Sequence, residues 1–214
     1  MARTFLPEPL EQYLFDVLSP RTPVQERLRK ETQGLPQAGM QIGPDQGLFL
    51  GLLVRMLDAR RVVEIGTFTG YSALAMAMAL PPGGRVLCCD VSEEFTAIAR
   101  RYWERAGVDD RIELRLAPAV ETLRTLPADP PIDLAFIDAD KEGYVDYWEE
   151  IMTRLRPGGV ILVDNVFSNG RVVADDPGPT GTAIQRFNDH AAADDRVELA
   201  MLPIADGLTF ARKR

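Results

Sequence analysis

The sequence lacks any run of about 18 or more apolar residues, so no segment reads as a transmembrane helix and no membrane partner is expected. Its opening residues, Met1 to Leu10, lack the apolar stretch of a secretory signal, so none is expected. Positive charge is in the minority: 24 Lys and Arg against 32 Asp and Glu give a formal net charge of −8. Nucleic-acid binding needs clustered Lys and Arg, and Arg212-Lys213-Arg214 is too short a cluster to supply it, which excludes a nucleic-acid partner. Cysteine is scarce. Cys88 and Cys89 are adjacent in an apolar run, and neighbouring cysteines pair only with strain, so both are expected as buried, reduced thiols, consistent with the cytoplasm. A single histidine, His190, and one vicinal cysteine pair leave too few ligands for zinc. The G-x-G-x-x-G spacing of a dinucleotide-binding turn is also absent.

What remains is an ordinary globular composition, 46% hydrophobic and 26% charged over 214 residues, enough for one domain. The first forty residues read as helical. Leu10, Leu14, Phe15 and Leu18 recur at helical spacing before Pro20; a second helix runs from about Pro23 to Gln33 and a third starts near Pro44. Strand and helix signals then alternate. Strands are expected at 61–66, 85–90, 111–116, 132–138 and 159–164, with helices at 71–80, from 90 through Gly107, and at 144–155. After a polar loop, a helix is expected near 182–193, then two strand-like runs at 196–202 and 207–211. Strands separated by helices make a parallel sheet covered on both faces, and the last two runs predict an antiparallel hairpin at one edge. Ligands of such sheets sit beyond the carboxyl ends of the strands, so acidic residues there line the binding rim.

Two constellations fall on that rim. Glu64-Ile65-Gly66-Thr67-Phe68-Thr69-Gly70 spans the first strand-to-helix turn, and Asp90 ends the next strand, where a carboxylate can accept from ribose hydroxyls. The glycines alone could serve only a tight turn; with the two acids they suit a nucleoside cofactor. Farther along, Asp138 ends the fourth strand and Asp164-Asn165 the fifth. If those strands are neighbours, two carboxylates and an amide oxygen converge, a hard-oxygen set suited to Mg²⁺. Asp164-Asn165 could alternatively cap the following loop, Asp140 reads as a helix cap, and Lys141 could form a surface pair with Glu142 or Asp140.

Taken together, Met40-Gln41-Ile42, Glu64 through Ser72, Asp138-Ala139-Asp140-Lys141 and Asp164-Asn165 resemble the caffeoyl-CoA and catechol O-methyltransferase family over about residues 36 to 211. The resemblance implies a Rossmann-like class I methyltransferase fold: a seven-stranded, mostly parallel sheet with helices on both faces and an antiparallel final strand. It implies one domain, with residues 1–39 a helical extension and 40–214 the core. It implies that Met40, Ile42, Glu64, Gly66, Thr67, Ser72, Asp90, Ala119 and Asp138 contact S-adenosylmethionine. Asp138, Asp164 and Asn165 would hold Mg²⁺ (or Mn²⁺ or Ca²⁺). Lys141, with Asp138, would be catalytic, and Lys141, Asn169 and Asp206 would meet a small catechol-like aromatic hydroxyl substrate. A homodimer using the N-terminal helices is implied as well. The sequence departs from the family at Ser168, where a tryptophan is usual, and at Ala117 and Ala205, where glycine is usual.

Competing functions fit less well. A nicotinamide-dependent reductase should show the dinucleotide glycines, a non-catalytic nucleoside-binding protein should lose metal ligands, and a transferase acting on protein or RNA should be more basic.

Overall fold

A computed structural model describes residues 6–18, 22–129 and 131–214. Pro20, the expected stop of the first helix, lies outside the described residues. The chain forms α1 (Glu8–Val17), α2 (Pro23–Thr32), α3 (Pro44–Met56), β1 (Arg61–Ile65), α4 (Tyr71–Ala77), β2 (Arg85–Asp90), α5 (Glu93–Ala106) and β3 (Ile112–Leu116). It continues through α6 (Ala119–Thr125), β4 (Ile132–Ile137), α7 (Tyr144–Met152), β5 (Leu155–Asp164), α8 (Gly178–Ala192), β6 (Val197–Leu202) and β7 (Leu208–Lys213). The strands lie in one sheet in the order β3-β2-β1-β4-β5-β7-β6. β1 to β5 pair in parallel, and β7 runs antiparallel between β5 and β6. The expected seven-stranded sheet and edge hairpin are therefore both present.

Side chains of a strand alternate between its faces, and the two cores follow that parity. Val62, Leu134, Phe136, Val160 and Leu162 pack with residues of α2 to α5 on one face. Val63, Ile65, Ala135, Ile137, Ile161 and Val163 pack with residues of α6, α7 and α8 on the other. Leu28 of α2 is fully buried in the first core, so this helix packs as part of the body of the fold. A Thr22–Gln25 capping box starts that helix, satisfying end groups that would otherwise lack partners.

The expected apolar stripe on α1 divides. Leu14, Phe15 and Leu18 are half-buried, whereas Leu10, Tyr13 and Val17 are exposed, as are Leu52 and Met56 on α3. Cys88 and Cys89 are buried free thiols. Among the described residues no helix is long and apolar enough to cross a membrane.

Five expectations are corrected. α4 ends at Ala77 and α7 at Met152, each three residues short of the expected Leu80 and Leu155. The helix α6 was not expected; its two turns, between Pro118 and Pro127, are too short for a periodic signal, yet it buries Thr122 and Leu123. α8 begins at Gly178 instead of near Thr182, because Pro179 suits the first turn of a helix. β5 starts at Leu155, since Pro157-Gly158-Gly159, which resembles a turn, is absorbed as an irregularity in the β4–β5 register.

Candidate active site

The strand order reverses direction between β1 and β4, and ligands of open α/β sheets bind at that crevice. There the Asp138 amide donates to the Ile65 carbonyl at 2.8 Å, and the Gly66 amide to the Cys89 carbonyl at 2.9 Å. Gly66 has φ +88°, and a Cβ on it would collide with the Asp138 carbonyl oxygen. Glycine is needed at this position for both reasons.

Asp90 braces the turn that follows. Its Oδ2 accepts from the Thr67 and Phe68 amides at 2.9 and 2.8 Å, and Oδ1 accepts from the Ser92 amide at 2.8 Å. Phe68, at φ 50°, stacks edge-on against Phe95 with centroids 4.7 Å apart. Behind the turn, Thr32 and Thr69 hydroxyls hydrogen-bond at 2.9 Å, and Gln41 Nε2 donates to both, tying α2 and the Met40–Ile42 segment to it.

The crevice opens into a cavity of about 1120 Å³. At one end its wall includes Met40, Ile42, Gly66, Thr67, Ser72, Asp90 and Ala119. At the other it includes Asp138, Lys141, Asp164, Asn165, Asn169 and Asp206. Every residue nominated from the sequence lines this cavity except Glu64. That carboxyl is fully buried behind the wall, and neither of its oxygens has a hydrogen bond of good geometry. Desolvation pushes it up to about 7, against the milder opposing influence of nearby Ser72, Thr67 and Cys88.

β4 and β5 are neighbours, so Asp138 and Asp164-Asn165 do converge. Lys141 Nζ donates to Asp138 Oδ1 at 3.1 Å, to Asn165 Oδ1 at 2.7 Å and to the Tyr144 hydroxyl at 2.5 Å. The Tyr144 hydroxyl donates in turn to the Asp164 carbonyl at 3.1 Å. Burial, reinforced by Asp138 and Asp164, holds that phenol well above its ordinary pKa, so it remains a donor. Asp164 is 2% exposed; its Oδ1 accepts from the Asn165 amide at 2.7 Å and its Oδ2 from Gln46 Nε2 at 2.8 Å. Burial first, and then Asp138, push its carboxyl upward.

Two sequence readings change here. Lys141 pairs with Asp138 rather than with Glu142 or Asp140, because the turn at 141–143 folds its side chain over the rim. Asp140 makes no capping bond; its Oδ1 accepts from the Tyr147 hydroxyl at 2.6 Å, which anchors the turn to α7. Gln46 and Tyr144 were not nominated. Gln46 lies within an apolar helix and carries no sequence signal, whereas Tyr144 stands three residues after Lys141, a spacing that places two side chains on one helical face.

The Asn165–Asp206 end of the cavity holds several non-glycine residues with left-handed backbone: Asn165 (φ 60°), Ser168 (φ 49°), Asn169 (φ 54°) and Ala205 (φ 48°). Such conformations cluster at functional sites, where surrounding structure enforces them. Both Asp206 oxygens accept from the Asn169 amide, at 2.8 and 2.9 Å. Ala205 thus keeps the backbone conformation that the family's usual glycine would favour.

Comparison with known proteins agrees with this geometry. The family described as O-methyltransferase matches residues 17–214. A probable caffeoyl-CoA O-methyltransferase of Dictyostelium discoideum is 40% identical over 209 residues, covering 94% of this chain and 90% of its own. The mouse catechol O-methyltransferase domain-containing protein 1 is 39% identical over 209 residues, covering 96% of this chain and 80% of its own. Among solved structures, the O-methyltransferase of Bacillus cereus in complex with SAH superposes with a TM-score of 0.87 at 36% identity, covering 96% of this chain and 97% of its own.

Proposed function

The chain belongs to the O-methyltransferase family, and from that membership we propose that it moves the methyl group of S-adenosylmethionine to one of two adjacent hydroxyls of a small aromatic, with a divalent cation, Mg²⁺ foremost, beside the acceptor. The observation that carries the reading is the meeting of Asp138 and Asn165 under one ammonium group, with Asp164 beside Asn165, at the far end of a cavity that begins at the Gly66–Asp90 turn.

The donor set fits a hard cation. It offers two carboxylates and one amide oxygen, and Lys141 already brings a positive charge onto two of these groups. Bound there, a divalent cation supplies positive charge that favours the phenolate form of the acceptor. Asp138, Asp164 and Asn165 would hold such a cation, and a hard cation held by only these oxygens would favour an acceptor with two adjacent oxygens over a lone hydroxyl.

The chain's own groups do the rest. Gly66, Asp90 and the Met40–Ile42 segment shape the cofactor end. Lys141 is the group placed to receive the phenolic proton, and Tyr144 and Asn165 hold its nitrogen in position. Alignment of donor methyl and acceptor oxygen supplies on the order of 7 kcal/mol or more of the acceleration. Asn169 and Asp206 border the acceptor, and Ser168, where the family usually has tryptophan, leaves a wall that is smaller and more polar. The N-terminal helices, with Leu10 of the expected stripe exposed beside Tyr13 and Val17, would lie partly in the interface of a homodimer, which light scattering at micromolar concentration tests. The free thiols suit a cytoplasmic setting.

The test is a paired assay of a catechol and its monohydroxy analogue at saturating S-adenosylmethionine and Mg²⁺, with and without excess EDTA. The catechol should be turned over far faster, and EDTA should abolish turnover. Equal kcat/KM for the two acceptors, or full activity in EDTA, would refute the chelation reading.

A further inference from the structure

The cavity wall is predominantly acidic. Asp90, Asp138, Asp140, Asp164 and Asp206 border it, against the two cations Lys141 and Arg171. Lys141 commits its donors to Asp138, Asn165 and Tyr144. Arg171 is different: among the described residues its exposed guanidinium has neither an ion pair nor a hydrogen bond. Neighbouring carboxylates are engaged elsewhere. Asp206 accepts from the Asn169 amide, Asp140 from the Tyr147 hydroxyl, and Asp176 from the Gly178 amide at 3.0 Å.

The backbone that carries Arg171 is fixed from behind by α8. A Cβ on Gly181 would lie 3.0 Å from the Arg171 Cβ and 2.8 Å from the Pro177 Cβ, so bare helix backbone packs directly on the stem of the arginine. Gln185 Nε2 donates to the Val172 carbonyl and Asn188 Nδ2 to the Val166 carbonyl, each at 2.8 Å. Arg171 thus borders the cavity from a clamped segment (Ser168–Val173), at the end that holds Asn165, Asn169 and Asp206.

A guanidinium is a planar fork of donors that matches a carboxylate, and it cannot shed its charge. A chain of net charge −8 with an acid-lined cavity disfavours anionic ligands. An unpaired guanidinium in that wall is the feature that reverses the preference locally. The geometry points to an anion subsite at Arg171, which makes the acceptor a dihydroxy aromatic bearing a carboxylate, held by Arg171 while its hydroxyls lie at Asp138, Asp164 and Asn165. The inference rests on the acceptor class proposed above and narrows it.

Protocatechuate and its neutral methyl ester separate the two ideas. Both are offered with S-adenosylmethionine and Mg²⁺ to the wild type, Arg171→Gln and Arg171→Lys. Loss of a charge-assisted, two-pronged contact should lower the acid-to-ester ratio of kcat/KM about tenfold or more in Arg171→Gln, chiefly through KM. Arg171→Lys should retain part of the ratio, and added salt should lower it in the wild type. An unchanged ratio in Arg171→Gln overturns the subsite. If neither compound is methylated, the acceptor class itself fails. Calorimetric binding of protocatechuate to wild type and Arg171→Gln, each loaded with S-adenosylhomocysteine, then still decides the subsite, and equal affinity overturns it.

Discussion

Glu64 is a carboxyl sealed in the interior at the end of a central strand, and replacing it with glutamine should stabilise the protein in a pH-dependent way. The side chain is fully buried, with both oxygens unpaired, and burial holds it at about 7 instead of the ordinary 4.5. One pH unit of displacement corresponds to about 1.4 kcal/mol, so ionising this carboxyl in the folded protein costs about 3 kcal/mol once the pH exceeds 7. The sign follows from proton counts. Between 4.5 and 7 the folded state keeps a proton that the unfolded chain has released, so stability from this group is full below 4.5 and is lost as the pH rises through 7. Glutamine has the same shape and no proton to lose, so its stability lacks that decline.

The assay is urea unfolding of wild type and Glu64→Gln, free of cofactor and metal, at pH 5 and pH 8. The advantage of the variant should grow from under about 1 kcal/mol at pH 5 to about 3 kcal/mol at pH 8. Asp164 is pushed in the same direction, but it is common to both proteins and cancels in the difference. An advantage that is the same at both pH values, or a variant less stable than wild type at pH 8, would show that Glu64 ionises as an ordinary carboxylate and that the desolvation argument is wrong.

Three further outcomes are expected. Gly66→Ala, whose Cβ would strike the Asp138 carbonyl at a positive φ, should cost about 3 kcal/mol or more in unfolding free energy and abolish calorimetric binding of S-adenosylhomocysteine. Lys141→Ala should lower kcat at least about a hundredfold while changing S-adenosylhomocysteine affinity less than about threefold; a wild-type rate would return Lys141 to a structural ion pair. Asp133→Ala should destabilise by about 2 kcal/mol without altering the ratio of kcat for different acceptors. Its carboxylate accepts from the Arg60 and Arg61 amides, each at 2.9 Å, and from Arg156 Nε at 2.6 Å, pinning the entry ends of β1, β4 and β5 far from the cavity.

The parts of this structure legible in the sequence are those written in short-range periodicity. β1, β2 and β4 are compact apolar runs between polar punctuation, and each was placed to within a residue. Parity along β1 carries further information. Glu64 is the penultimate strand residue, in register with Cys88, so its side chain points to the same face as Val62 and is buried without lining the cavity. An acid at a strand end faces the crevice only when it lies at or beyond the last pleat, as Asp90, Asp138 and Asp164 do. Gln46 illustrates the opposite limit. It reaches Asp164 across 118 residues of chain, and nothing in a helix of sequence Pro-Asp-Gln-Gly-Leu-Phe-Leu distinguishes a residue that orients a rim carboxylate from one that fills a core. Arg171 was invisible for a related reason: an arginine in a polar loop becomes informative only when its surroundings show that no carboxylate claims it.

Sheet order explains why these pieces form one site. From β1 the chain moves outward to β2 and β3, then returns across the sheet to place β4 on the other side of β1, with β5 beyond it. The turn after β1 and the residue after β4 therefore meet at the point where the winding reverses, and the Asp138-to-Ile65 backbone bond records the contact. Any ligand seated on the Gly66 turn has Asp138 as its neighbour, while β5, next in order, supplies Asp164 and Asn165 one strand spacing away. The Gly66–Asp90 end and the Asp164-Asn165 end of the cavity are thus adjacent because of the order in which the strands are laid down. A substitution at Gly66 should for that reason disturb both ends together, since the backbone it displaces carries Asp138. The segment after β5, in contrast, is held by α8 through Gln185, Asn188 and Gly181, outside the sheet. Residues 168–173 can therefore vary without moving the strand ends at Gly66, Asp138 and Asp164, and under the proposed function acceptor preference is expected to follow Ser168 and Arg171, which both lie in that segment.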